Sequence, residues 1–378
     1  MRRIAFYAPI KPPDHPIASG DRLIARNLLA ALDLAGFNAE LASSYIAYSK
    51  RDSADILEER KAGALAEAEA VIQRLDQNRP AVWLTYHPYC KAPDWIGPIV
   101  SEAFGIPYVT VEAARTGQGF ENGGDRWALW RKEAQSGLRR ADLHLAFKPT
   151  DRAYLIELLG DDVRIRDIAP FFDATVPRQL PDVGVPSHWR SGAPILAATA
   201  MMRPGKKVVN FKMLARALEP LQALHWNLVL IGGGPEEPAI RGFFSRFSQE
   251  RLHWTGAVSR AEVLSWMKRA DLFVWPGWQE PIGMVYLEAQ LMGTPVAALR
   301  SMGVPLVVAH GKTGLLAQET PPDNAPDPYT GILRDLISHP TLRADLGEAA
   351  AAYVGHHHSL AAGASALNAH LTELLTAD

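Results

Sequence analysis

Apolar runs of four or five residues recur along the chain, separated by longer segments whose apolar positions fall three and four apart. The runs at 4–8, 39–42, 81–85, 107–111 and 143–147 read as strands, as do those at 195–198, 227–231 and 272–275. A continuous apolar run this short suits a parallel strand buried on both faces. The segments between them predict helices over 23–32, 53–77, 211–218, 284–291 and 360–375. Alternating strands and helices imply α/β layers around parallel sheets. Residues 170–194 are rich in proline and lack periodicity, as a linker does. The chain thus divides into 1–172, a linker at 173–194, a second domain at 195–358, and a final helical segment at 359–378.

The stretch 271–295, DLFVWPGWQEPIGMVYLEAQLMGTP, carries the clearest chemistry. Pro276 and Gly277 stop its strand, a loop carries Glu280, Pro281 and Gly283, and a helix follows until Gly293. Backbone N–H groups at a helix start lack intrahelical partners, which suits phosphate oxygens or sugar hydroxyls. Gly283 would let a ligand approach the backbone closely. Glu280 and Glu288 stand eight residues apart and cannot contact one atom, but they could hold two ends of an elongated ligand. Carboxylates accept hydrogen bonds from vicinal hydroxyls, such as those of a sugar ring and a ribose. The plainer alternative is a helix-capping Glu280 and a solvated Glu288.

Other polar residues fall at strand ends. Arg203, Lys206 and Lys207 follow the strand at 195–198 and lead into a helix, a plausible diphosphate site. Gly20, between Ser19 and Asp21, opens the first helix and would admit a phosphate to its N-terminus. His87 and Glu112 follow the strands at 81–85 and 107–111, at the sheet edge where parallel α/β proteins bind ligands. Residues 116–124 are glycine-rich and read as a flexible loop. The segment 126–140 carries Trp127, Trp130 and several cations; it either packs on the core or rests on an anionic membrane.

Composition narrows the classes. Hydrophobic content of 48% and a mean hydropathy of −0.07 indicate a soluble globular protein of two domains. A formal charge of −2 excludes nucleic-acid binding by bulk charge. No apolar run reaches membrane-spanning length, and MRRIAFYAPI reads as a strand rather than a signal peptide. Cys90 is the single cysteine, so no internal disulfide forms; a cytoplasmic setting is expected, with peripheral contact at the inner face of the membrane through 126–140 as the one membrane option. Adjacent histidines His356, His357 and His358 point in different directions on a helix, and no metal site is expected.

The string E-P-I-G-M-V-Y-L-E-A-Q-L-M-G-T-P-V resembles the E-x7-E signature of family-four glycosyltransferases, with Pro281-Ile282 a mild departure. The resemblance implies the GT-B fold: two Rossmann-like parallel-sheet domains facing across a cleft. It implies that Glu280 holds a donor-sugar hydroxyl and Glu288 the ribose. The backbone amides of Ile282, Gly283, Met284 and Val285 would meet sugar and phosphate. Arg203 matches the family's diphosphate-binding Arg, and Lys207 its Lys, with Lys206 as rival. The segment 252–258 is similar to one whose backbone, here at Val258, meets the nucleotide base. Gly20 matches a glycine near the donor and acceptor. Many relatives place a His after the strand at 107–111, facing the donor sugar, whereas this chain has Glu112. Either Glu112 or His87 takes over that contact on the acceptor side of the site, with His87 expected nearer the donor sugar and Glu112 facing the acceptor or supporting its loop. The last helix is expected to return to the N-terminal domain. The implied activity is retaining transfer of a sugar from a UDP-, GDP- or ADP-sugar to a glycan, glycolipid or small molecule. Neither cofactor nor metal is needed in that scheme, because cations and helix N-termini supply the electrostatics. An epimerase or hydrolase using His87 and Glu112 as acid and base, and a non-catalytic nucleotide-sugar binding module, are the alternatives.

Overall fold

A computed structural model describes residues 2–17, 19–114, 126–162, 164–189, 192–322 and 327–376. The chain forms two compact units, Met1–Asp173 together with Leu360–Asp378, and Ala174–Ser359.

In the first unit, strands β1 (Arg3–Tyr7), β2 (Asn38–Ser43), β3 (Val82–Tyr86), β4 (Tyr108–Val111), β5 (Leu143–Ala146) and β6 (Ile165–Asp167) form a parallel sheet in the order β2-β1-β3-β4-β5-β6. Helices α1 (Gly20–Leu34), α2 (Ala54–Leu75), α3 (Ile96–Phe104), α4 (Ala128–Arg139) and α5 (Pro149–Leu159) connect them. Every residue of β3 is buried, which is why VWLTY shows no polar alternation. Strand β6 has three residues and left no readable pattern in the sequence. The aromatics of α4 face inward: Trp130 lies 6.1 Å from Trp95 and 5.7 Å from Trp127, and all three are buried. A membrane would therefore meet Leu129 and cations on this helix, not the tryptophans. Asp94 is buried beneath them and accepts from the N–H groups of Ile96 (2.9 Å) and Gly97 (2.8 Å) and from the hydroxyls of Thr85 and Tyr108.

In the second unit, β7 (Ile195–Thr199), β8 (Asn227–Ile231), β9 (Leu252–Gly256), β10 (Leu272–Val274), β11 (Val296–Leu299) and β12 (Gly314–Ala317) are parallel in the order β12-β11-β10-β7-β8-β9. Its helices are α6 (Lys206–Leu218), α7 (Glu237–Phe243), α8 (Arg260–Arg269), α9 (Met284–Leu291), α10 (Val304–Val307), α11 (Asp327–Ser338) and α12 (Pro340–His357). Phe211 meets Trp275 edge-on at 4.9 Å, and Phe273 meets Tyr286 at 5.8 Å, joining α6 and α9 to the sheet. Among the described residues no helix is long and apolar enough to cross a membrane.

In both sheets the strand that leads the unit, β1 or β7, has neighbours on both sides. The chain leaves it in one direction and later returns to the other side, which opens a crevice at the strands' carboxyl ends.

The closing helix α13 (Leu360–Thr376) belongs to the first unit and packs on α1. Gly363 permits that approach: a Cβ there would lie 2.4 Å from the buried ring of Phe171. Gly363→Leu should cost about 1–3 kcal/mol through overpacking. Urea unfolding should show a lower midpoint with an unchanged slope.

Candidate functional site

Two groups of ionisable residues gather at strand ends, one in each unit. In the second unit, β7 and β10 are neighbours, with Leu272 beside Leu196 and Phe273 beside Ala197. The segments that follow them emerge side by side. Lys207, in the first turn of α6, places Nζ 2.6 Å from Oε2 of Glu280, in the loop after β10. Its ammonium also lies 5.6 Å from the centre of the Trp275 ring. Lys206 instead points its Nζ at the Gln279 carbonyl at 3.5 Å, at the surface. Arg203 is exposed on the turn between β7 and α6.

The start of α6 is electrostatically unusual. Its N-cap is Gly205, with no side-chain cap, its first turn holds no acid, and Lys206 and Lys207 both sit there. Cations at the positive end of a helix dipole are unfavourable by themselves. An anion bound at that end would reverse the sign.

Asn210, which carried no signal in the sequence, fixes the loop after β10 to α6. Its side chain accepts from the Trp278 N–H at 2.7 Å and donates to the Trp278 carbonyl at 3.1 Å. Ser301 accepts from the Gln279 N–H at 2.9 Å, and Gly303 N–H donates to the Glu280 carbonyl at 3.2 Å. Gly283 has φ of 80°, and a Cβ there would lie 2.5 Å from the Tyr286 ring and 3.2 Å from Cγ of Glu280. The chain's own packing thus demands this glycine, whereas the sequence suggested only room for a ligand. Ile282 is buried, and Met284 and Val285 are half-buried in the first turn of α9.

Glu288, farther along α9, does not meet Glu280's partners. Its Oε1 accepts from Arg260 Nε at 2.9 Å, at the start of α8. Arg260 was absent from the sequence-based set because its spacing from Glu288 follows no motif. Val258 is half-buried two residues before it.

The first unit holds the other group. His87 and Glu112 follow β3 and β4 in register, where Tyr86 pairs with Val111. Both have left-handed backbones, with φ of 59° and 55°. For residues with a Cβ this costs about 1–3 kcal/mol each, and such strain gathers at functional sites. His87 Nδ1 lies 3.1 Å from Asp21 Oδ1, in the first turn of α1. Gly20 is the first residue of that helix, with Ser19 as its cap, and open space surrounds its missing side chain.

Glu112 is deeper. Lys148 Nζ lies 2.6 Å from its Oε1, the Tyr86 hydroxyl donates to its Oε2 at 3.2 Å, and the side chain is 4% exposed. Lys148 also pairs with Asp151 at 3.1 Å. Lys148 is thus the cation that balances Glu112, while the loop 116–124 and Arg115 before it lie outside the described residues. Burial opposes protonation of His87, but the Glu112 charge and the Asp21 hydrogen bond overcome it and raise its pKa. Burial would also raise the Asp21 pKa, but the same hydrogen bond holds it below the ordinary value. Asp151 behaves oppositely: burial pushes its pKa up to about 6, and Lys148 offsets only part of that.

The two parallel α/β units have the GT-B fold. A sucrose-phosphate synthase from Thermosynechococcus elongatus matches it over the whole of both chains, with a TM-score of 0.71 and 16% identity. Residues 193–336, within the second unit, match the model of the family described as Glycosyl transferases group 1. A D-inositol 3-phosphate glycosyltransferase from Streptomyces avermitilis is 38% identical over 151 residues, covering 38% of this chain and 32% of that protein. One from an Arthrobacter species is 26% identical over 389 residues, covering 93% and 90%. The chain spans about a third of the length of the first of these relatives.

Asp151 supplies a pH test. Its folded pKa lies above the unfolded value of about 3.9, so the folded state binds the extra proton and wild-type stability falls as pH rises from about 4 to 6. Asp151→Asn lacks this loss. The variant's melting temperature relative to wild type should climb across that window and flatten above it, with a total of at most about 3 kcal/mol. A difference independent of pH would mean that Asp151 ionises normally.

Proposed function

We propose that the protein is a retaining glycosyltransferase that moves a sugar from a nucleoside-diphosphate sugar to a hydroxyl-bearing acceptor. The observation that carries this is the uncapped start of α6, with Lys206 and Lys207 in its first turn and Lys207 joined to Glu280 at 2.6 Å. A diphosphate at that turn would turn an unfavourable charge arrangement into a favourable one. Lys207 carries three N–H donors, so it can keep Glu280 while donating to a phosphate oxygen.

In this reading Arg203 and Lys207 stabilise the charge that grows on the departing diphosphate. Glu280 accepts from a donor-sugar hydroxyl, and the N–H groups from Ile282 to Val285 face sugar and phosphate. Glu288 accepts from the ribose, and the backbone at Val258 meets the base. The bond from the anomeric carbon to the leaving phosphate breaks through an oxocarbenium-like state. The acceptor oxygen bonds to that carbon on the same face and passes its proton to the leaving phosphate. His87 and Asp21 belong to the acceptor side, and Glu112, with both oxygens engaged, supports the turn that carries them. The names of the relatives make D-inositol 3-phosphate the first acceptor to try.

Lys207→Ala should lower turnover by about 10²–10³, or about 2.7–4 kcal/mol, with little change in melting temperature. Lys206→Ala should have a small effect. The assay is release of UDP, GDP or ADP from the corresponding glucose donors across an acceptor panel. A larger loss in Lys206→Ala would shift the phosphate contact by one residue, and release of free sugar without acceptor would favour the hydrolase.

A further inference from the structure

The pairing of Glu288 with a cation has a consequence for nucleotide recognition. A carboxylate suits ribose hydroxyls as an acceptor, but it also places a negative charge close to a nucleoside diphosphate. Arg260 removes that conflict. Its Nε donates to Oε1 of Glu288 at 2.9 Å, fixing the carboxylate while leaving it a second oxygen. The Arg260 backbone is itself held. Ser259 caps α8, accepting from the Glu262 N–H at 3.3 Å, while Ser259 N–H donates to Glu262 Oε2 at 2.9 Å. Helix α8 packs on α9, so the two ends of the ion pair stand on adjoining rigid elements. The Glu288 side chain is 18% exposed and that of Arg260 47%, so the carboxylate is sheltered while the pair as a whole stays partly open to solvent and to screening by salt.

We propose that Arg260 is a positioning residue for the nucleotide: it orients Glu288 toward the ribose and cancels its charge beside the diphosphate. This rests on the reading of Glu288 as the ribose carboxylate. Arg260 acts through that side chain and takes no part in bond breaking, so it sets donor affinity without setting the chemical step.

The test is calorimetric titration of the whole protein with UDP, GDP and ADP, together with steady-state kinetics on the matching donors. Arg260→Ala should weaken the preferred nucleoside diphosphate about tenfold and raise the donor KM alike, with kcat within about twofold. Arg260→Lys should recover part of the loss and Arg260→Gln none, because the charge is the missing element. The deficit should shrink at high salt. In a Glu288→Gln background, Arg260→Ala should cause no further weakening. An equal loss in both backgrounds would overturn the proposal, since Arg260 would then act independently of Glu288. A fall in kcat and melting temperature without a change in nucleotide affinity would overturn it as well, leaving Arg260 a structural residue. If Glu288→Gln alone leaves nucleotide affinity unchanged, the ribose reading fails, and the proposal fails with it for that separate reason.

Discussion

The Lys207–Glu280 contact depends on a neighbour relation set by the sheet. Residue 207 follows β7 and residue 280 follows β10, and only their parallel pairing brings these carboxyl ends together. Much of the local structure serves to keep that contact short. Asn210 makes two hydrogen bonds to Trp278, Ser301 holds Gln279, and the left-handed Gly283 lets Tyr286 fold beneath the loop. Lys207 is thereby held near Glu280 by the fold itself.

Charge compensation is the shared theme of both units. Glu280 has Lys207, Glu288 has Arg260, and Glu112 has Lys148. Burying an unpaired carboxylate is costly, and removing one partner of a buried pair is costlier than never having had it. The second unit's pairs remain partly open to water, whereas the Glu112–Lys148–Asp151 group is nearly closed off. The first two keep polar atoms within reach of solvent. The third is suited to hold a strained turn, and His87 and Asp21 are the members of its surroundings that water still reaches.

The left-handed backbones at His87 and Glu112 fit that division. Each residue leaves its strand through a sharp turn, and each N–H donates to the next strand, to the Val111 and Leu145 carbonyls at 2.8 Å. The sheet ladder therefore extends one residue past the regular strands and over-determines two unfavourable conformations. This directs the His87 ring toward Asp21 and sends the Glu112 side chain down to Lys148.

The sequence by itself determined the alternation of buried strands and helices, because fully covered parallel strands must be apolar throughout and β3 and β8 are buried at every position. It also placed the strand–loop–helix unit around Glu280 and Glu288, since Pro276, Gly277 and Gly293 are local signals that act over a few residues. Pairing across the fold was not legible. Nothing local distinguishes Lys207 from Lys206 as the partner of Glu280, and the difference arises from which side of the α6 helix faces β10. Arg260, Lys148, Asp21 and Asn210 lie 28, 36, 66 and 68 residues from the groups they hold. No period or motif spans such distances. Strand order and helix packing alone bring those charges together.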